Sequence, residues 1–285
     1  MRAAVLGHPV AHSLSPVLHG AAHAALGLTG WEYGSQDVEA DALAALLAGA
    51  GPEWAGFSLT MPLKQAVIPL LAQVSPLADA VGAVNTVVPV LGSTGATRRW
   101  RGDNTDVHGI VAALWEGGVE RASSAAVLGG GATAASALAA LARLGVSRPT
   151  VYVRSPQRAT ALHAVAERLG VEPEVAPWER AARALDADVV VSTVPAGAAD
   201  GLAAELDGPT GAGRRPRGVL LDVVYAPWPT ALARAWEGRG GTVVSGFAML
   251  LHQAGEQVRL MTGRPAPLEA MREAGEAELA ARAAR

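Results

Sequence analysis

The 285-residue chain contains no cysteine. That excludes a disulfide framework, a thiolate metal site and a cysteine nucleophile. Aromatic residues make up only 4%, so the core has to be built from Ala, Val and Leu. Charge is also scarce, at 17% of residues with a formal net charge of −3. General nucleic-acid binding needs clustered Lys and Arg and is not expected. No stretch approaches about 18 uninterrupted apolar residues, so no membrane span is expected either. After Arg2 the apolar run before Gly7 is too short for a signal-peptide core, which points to a cytoplasmic protein. Lysine is nearly missing: of 23 basic residues all but Lys64 are Arg. Codon composition accounts for such a bias, but not for why this one position keeps a lysine. Half of the residues are hydrophobic and the mean hydropathy is +0.24, which excludes disorder. The length suggests two domains, or one large one.

Short apolar runs alternate with alanine-rich helical patterns, which is the signature of an α/β protein with largely parallel sheets. Ala3 to Leu6 reads as a buried strand and Pro16 to Leu26 as a helix, with Ser15 as its N-cap. Tyr33 to Val38, Gly56 to Leu59 and Asn85 to Val90 read as strands, with Arg98 to Arg101 as one more after a turn at Gly92 to Gly95. A helix from Thr105 to Trp115 stops at Gly117-Gly118. A second βα series begins at Ala125. Its strands are Ala125 to Leu128, Thr150 to Val153, Asp188 to Ser192, Val219 to Val224 and Thr242 to Ser245. Helices follow at Ala132 to Leu144 and Pro156 to Leu169. Gly208 to Gly218 reads as a mobile surface loop, and everything from Gly246 onward as helical. The expected division is a first α/β domain over 1–107 and a second over 108–245, with 246–285 returning to pack on the first.

Gly129-Gly130-Gly131-Ala132-Thr133-Ala134 sets a G-x-G-x-x-A pattern between a strand and a helix. The first glycine allows the turn and the second lets backbone approach a pyrophosphate. Ala134 permits close helix–sheet packing, and the helix N-terminus offers N–H groups to an anion. A dinucleotide is the expected ligand, with a merely tight βα turn as the alternative. After the next strand an NAD site usually carries Asp or Glu, whereas a 2′-phosphate prefers Arg. The chain has Arg154, Ser155 and Arg158 and no carboxylate there, so NADP is the expected cofactor. Two solvated arginines are the plain alternative.

The first domain has polar groups at element ends. Ser13 and Ser15 flank a helix N-terminus and suit a carboxylate, although taken alone an N-cap and a turn residue are the favoured explanation. Ser58, Thr60 and Lys64 close a strand segment. Ala83 to Thr86 and Gly102 to Asp106 follow, with Asp106 in the first turn of a helix. The seven histidines show no HExxH or carboxylate spacing, and no metal is expected.

The segments His12 to Pro16, Ser58 to Lys64, Ala83 to Thr86 and Gly102 to Asp106 resemble, in order, the signature segments of the shikimate dehydrogenase family. Ser192 to Pro195, Asp222 to Pro227 and Gly246 to Gln253 extend the resemblance over almost the whole chain. The resemblance implies NADPH-dependent reduction of 3-dehydroshikimate to shikimate, within aromatic amino acid biosynthesis. It implies a substrate domain and a Rossmann-type domain, with Lys64 and Asp106 as the catalytic pair. Ser13, Ser15, Thr60, Asn85, Tyr225 and Gln253 become substrate contacts. Val223 and Gly246 join the glycine turn, Ala132, Thr133 and the Arg154–Ser155–Arg158 group as cofactor contacts. Two departures are visible: Ser58 stands where many members carry Asn, and Gly20 where Asn is frequent.

Ketone reduction needs a hydride at carbon and a proton at oxygen. A lysine can donate and recover that proton, whereas an arginine, with a pKa above about 12, cannot. Lys64 is therefore either a general acid/base or an electrostatic orienting group. Two other readings compete: an NAD-using quinate/shikimate dehydrogenase, and a ligand-sensing homologue without turnover. The partner is a small molecule, and the chain is expected to be a monomer or homodimer.

Overall fold

The computed structural model describes residues 1–92, 98–208 and 216–284, apart from the side chains of Pro156, Arg158 and Ala159. Two compact units emerge. Residues Met1–Thr105 and Leu251–Arg285 form one, and Asp106–Leu250 the other.

The first unit opens with β1 (Arg2–Gly7), α1 (Ser15–Ala25), β2 (Glu32–Asp37) and α2 (Leu43–Gly49). It continues with β3 (Trp54–Leu59), α3 (Leu63–Ala66), β4 (Gln73–Val74), α4 (Pro76–Val81), β5 (Thr86–Pro89) and β6 (Trp100–Asp103). Its six strands lie in the order β2-β1-β3-β5-β6-β4. Its strands pair in parallel, as expected, except that β5 runs antiparallel to both β3 and β6. The reason is topological. A parallel return needs a crossover of about a dozen or more residues, and only residues 90–99 join β5 to β6. Burial on both faces explains why β1 reads as an apolar run from Ala3 to Leu6. Phe57 anchors the core, fully buried with its ring 4.7 Å from that of Trp54 and 5.3 Å from that of Trp100. Burying such a ring contributes about 1.5–3 kcal/mol, so three of the few aromatics are concentrated where they count most.

The start of α1 departs from expectation. Leu14, already in helical conformation, precedes the helix, and no side chain caps it. Ser15 is the first helical residue, and its N–H donates to Ser13 Oγ at 3.2 Å. Ser15 is buried, so its hydroxyl serves the interior instead of the helix end. Pro16 keeps its place in the first turn.

The second unit begins with α5 (Asp106–Glu116) and continues with β7 (Ala125–Leu128), α6 (Ala132–Arg143), β8 (Thr150–Val153), α7 (Pro156–Leu169) and β9 (Glu174–Pro177). Then come β10 (Val189–Ser192), α8 (Asp200–Asp207), β11 (Val219–Asp222), α9 (Ala231–Gly238) and β12 (Thr242–Ser245). The sheet order is β12-β11-β10-β7-β8-β9, and every pairing is parallel. This is the doubly wound order in which strand sequence reverses between β7 and β10, leaving a crevice beyond their carboxyl ends. Trp236 is fully buried and its Nε1 donates to the Gly218 carbonyl at 3.2 Å. The expected loop at Gly208 to Gly218 falls largely outside the described residues, as does most of the turn at Gly92 to Gly95.

The C-terminal stretch is not one helix. It divides into α10 (Gly246–Thr262) and α11 (Leu268–Ala283), separated at Gly263, whose φ of +72° ends the first. α11 packs on α1. Among the described residues no helix is long and apolar enough to cross a membrane.

Candidate active site

In the first unit the end of β1 pins the loop that carries Thr60. The His8 N–H donates to the Met61 carbonyl at 2.9 Å, and the Thr60 N–H to the Leu6 carbonyl at 2.9 Å. Gly7 makes this approach possible, since a Cβ there would lie 2.2 Å from Thr60 Cγ2. From Thr60 the chain enters α3 directly, with the Leu63 N–H on the Thr60 carbonyl at 2.8 Å. Lys64 therefore sits on a one-turn helix past the strand, half-buried, with its carbonyl accepting from the Val84 N–H at 2.8 Å. That bond places the lysine segment beside the residue that precedes Asn85.

Asn85 and Gln253 come together in a buried network. Asn85 Oδ1 accepts from the Thr105 N–H at 2.8 Å and from Thr86 Oγ1 at 2.9 Å. Its Nδ2 donates to Thr105 Oγ1 at 3.0 Å and to Gln253 Oε1 at 3.2 Å. Ser15 reaches the same network through Tyr33. The Tyr33 hydroxyl donates to Ser58 Oγ at 2.6 Å, and Ser58 Oγ donates to Gln257 Oε1 at 2.9 Å. Burial pushes the Tyr33 phenol well above its ordinary value, against the pull of hydrogen bonds with Ser58 and Ser15. His19 stacks on Tyr33 with ring centroids 3.8 Å apart, and its Nε2 donates to Gln257 Oε1 at 3.3 Å. Its Nδ1 is buried with no hydrogen-bond partner. Burial therefore holds its pKa down, to about 3, and the ring is neutral.

Tyr33, His19 and Gln257 were absent from the residues singled out above. The one available signal was the four-residue spacing of Gln253 and Gln257, which puts both amides on one helix face.

In the second unit Asp106 is the first residue of α5 and is buried, in the first turn as expected. The glycine turn follows β7 at the switch point. Gly129 has a φ of +113°, which strongly favours glycine. A Cβ there would lie 2.5 Å from Thr193 Oγ1, and that hydroxyl donates to the Leu128 carbonyl at 2.9 Å. Gly131 precedes α6, where no side chain caps the helix. The N–H groups around Ala132 and Thr133 are thus presented by an uncapped helix N-terminus, the feature that accepts a pyrophosphate. Fully buried Ala134 lets α6 sit close on the sheet. Arg154 is exposed just past β8, with half-buried Ser155 beside it; the side chain of Arg158 lies outside the described residues. These residues fit a dinucleotide bearing a 2′-phosphate.

The loop after β11 carries Val223 and Tyr225 and is closed by Asp222. Its carboxylate accepts from the Val224 N–H at 3.2 Å and from Thr230 Oγ1 at 2.8 Å. Burial pushes the Asp222 carboxyl up, opposed by those bonds. Gly246 is required by close approach, because a Cβ there would lie 2.1 Å from the Val223 carbonyl oxygen. Among the described residues no group of three or more His, Asp or Glu is placed to hold a metal ion.

Residues 5–87 match the family model described as shikimate dehydrogenase substrate binding domain, and residues 246–274 that of the shikimate 5′-dehydrogenase C-terminal domain. Residues 124–222 match a model described as NADP oxidoreductase, coenzyme F420-dependent. A shikimate dehydrogenase (NADP(+)) of Synechococcus sp. (strain JA-2-3B'a(2-13)) is 37% identical over 286 residues, covering 97% of this chain and 95% of that protein. The chain belongs to the shikimate dehydrogenase family. Solved family structures agree in fold. That of Mycobacterium tuberculosis shikimate dehydrogenase superposes with a TM-score of 0.85 at 43% identity, covering 97% of this chain and 99% of the other. That of Thermus thermophilus shikimate 5-dehydrogenase, in complex with NADP(H) and shikimate, gives 0.80 at 35% identity over 97% and 99%.

Proposed function

We propose that the chain catalyses the reversible, NADP-dependent reduction of 3-dehydroshikimate to shikimate, a step of aromatic amino acid biosynthesis. The observation that carries this reading is the likeness, along 97% of the chain, to a structure holding both NADP(H) and shikimate. Bound NADPH supplies the hydride to the carbonyl carbon. In this reading the uncapped α6 N-terminus and the glycine turn at Gly129, Gly130 and Gly131 hold the pyrophosphate, Arg154 with Ser155 and Arg158 the 2′-phosphate, and Val223 and Gly246 flank the nicotinamide.

The protein's own task is the proton and the orientation of the ketone. Ser13 and Ser15 receive the substrate carboxylate at the start of α1. Thr60, Asn85, Tyr225 and Gln253 hold the ring substituents. Lys64 places a compact ammonium at the carbonyl oxygen, polarising it and delivering the proton as charge develops. Asp106 is the second catalytic group and holds a substrate hydroxyl. In the reverse direction the same lysine, once deprotonated, accepts the proton from shikimate. A small-molecule partner, a cytoplasmic location and a monomeric or homodimeric state complete the reading.

The deciding experiment is a four-way assay, with shikimate or quinate against NADP or NAD, following reduced-cofactor absorbance. Shikimate with NADP is expected to give the highest kcat/KM. Preference for NAD or quinate would replace this reading with a quinate dehydrogenase, and absence of turnover with a sensor.

A further inference from the structure

Position 58 has only a hydroxyl in this chain, and that hydroxyl lies in the buried network of the first unit. Two backbone groups settle what surrounds it. A backbone N–H can only donate, so the Thr105 N–H, 2.8 Å from Asn85, identifies the atom it meets as Oδ1. A backbone carbonyl can only accept, so the Asn85 carbonyl, 3.3 Å from Gln257, identifies the atom it meets as Nε2.

From those two assignments the direction of each bond follows. Gln257 Nε2 also donates to Thr86 Oγ1 at 3.1 Å, which leaves the single Thr86 proton for Asn85 Oδ1 at 2.9 Å. With Oδ1 taking these two donors, the Asn85 NH2 is turned to the side where Gln253 Oε1 lies at 3.2 Å. At its other end Gln257 Oε1 takes the Ser58 proton at 2.9 Å, and so Ser58 accepts from Tyr33 at 2.6 Å. Gln257 is 1% exposed. An amide so buried is costly unless satisfied, and this one has partners at both ends.

We propose that Gln257 is a positioning residue for the substrate site: its amide, brought in on α10, ties Ser58 to Thr86 and the Asn85 carbonyl and so holds Asn85 with its NH2 group on Gln253. The proposal rests on the reading of the first unit as the shikimate site. Without the Gln257 donor, Thr86 is free to send its proton elsewhere. Asn85 then keeps the Thr105 N–H on its Oδ1 but loses the Gln257 bond to its carbonyl and the aligned Thr86 donor, so its amide is held less tightly, while the cofactor unit keeps all its contacts.

The test is steady-state kinetics of Gln257→Ala, Ser58→Asn/Gln257→Ala and Gln257→Glu beside the unsubstituted chain. For Gln257→Ala the KM for shikimate is expected to rise about tenfold, as for loss of one oriented hydrogen bond. The KM for NADP stays within about twofold and kcat within about threefold. Returning an amide at position 58 in the double variant brings the shikimate KM back to within about threefold of the original. In Gln257→Glu the protonated side chain can still donate and the ionised one cannot. Its shikimate KM relative to the unsubstituted chain therefore climbs between pH 6 and 9, and this isosteric variant decides the question if the alanine variant does not fold. An unchanged shikimate KM, a parallel rise in both KM values, no recovery in the double variant, or a pH-independent ratio each overturns the role of Gln257. Lack of shikimate turnover in the unsubstituted chain overturns the assigned activity instead.

Discussion

His19 is the buried group whose titration should be readable in the stability of the whole fold. It is fully buried, stacked on Tyr33, and its Nδ1 has no acceptor within reach. Protonation would thus place an uncompensated charge inside the first unit. Burial lowers the folded-state pKa to about 3 from the ordinary value of 6.5. A depressed histidine pKa means that the unfolded chain binds the proton first. Stability is intact above pH 6.5 and falls as pH drops, until protonation in the folded state ends the loss near pH 3. Between about pH 7.5 and pH 5 the linkage integral comes to about 2 kcal/mol, at about 1.36 kcal/mol per pH unit of separation. The substitution to make is His19→Phe, which keeps a stacking ring and removes the titrating nitrogens, while Ser58 still donates to Gln257. Urea unfolding of both proteins at about pH 7.5, 6.5, 5.5 and 5.0 gives two curves of stability against pH. The curve of the variant should be flatter by about 1 kcal/mol per pH unit near pH 5. His23, whose pKa is also lowered by burial, is present in both proteins and cancels in the comparison. Parallel curves would overturn this account, because they would mean that His19 is protonated as easily in the folded protein as in the unfolded chain.

Three other predictions concern catalysis and cofactor. Lys64→Ala should lower kcat at least about 100-fold, the low end for losing a positioned acid–base group, and Lys64→Arg should not restore it; normal turnover of either variant returns the lone lysine to accident. Gly129→Ala forces a Cβ to within 2.5 Å of Thr193 Oγ1 at a φ of +113°. A loss of about 1–3 kcal/mol in urea unfolding and a raised KM for NADP should follow, and an unchanged midpoint would contradict the close packing of that turn. Arg154→Ala should raise the KM for NADP about tenfold and leave that for NAD almost unchanged, consistent with one charge-assisted contact to a 2′-phosphate; equal effects on both cofactors would remove the arginine from that role.

Much of the second unit was legible before any coordinates. β7, β8, β12 and α7 have the bounds that their apolar runs and turn residues announce. β7 in particular is buried along its whole length and followed by Gly129, which leaves a strong local signal. The short α2, α3 and α4 were not foreseen, because a helix of 4 to 7 residues is too brief to show a 3.6-residue period. The antiparallel β5 was missed for a related reason. Direction is set by where the chain must return, and a strand carries no local mark of it.

Residue order alone established the class of the protein, its family, and the candidates Lys64, Asp106, Ser13, Ser15, Asn85 and Gln253, because motifs bind residue type to spacing along the chain. How the first unit orients its amides emerges only in three dimensions. The partners of Asn85 include residues 86, 105, 253 and 257, and those of the Ser58 hydroxyl include 33 and 257. A hydrogen bond between residues 199 apart has no trace in local pattern, since its two ends are constrained by a shared buried volume and not by each other's neighbours in sequence. The same holds for His19. Its sequence position made it one histidine among seven, and its burial against Tyr33 made it a titrating group of the fold.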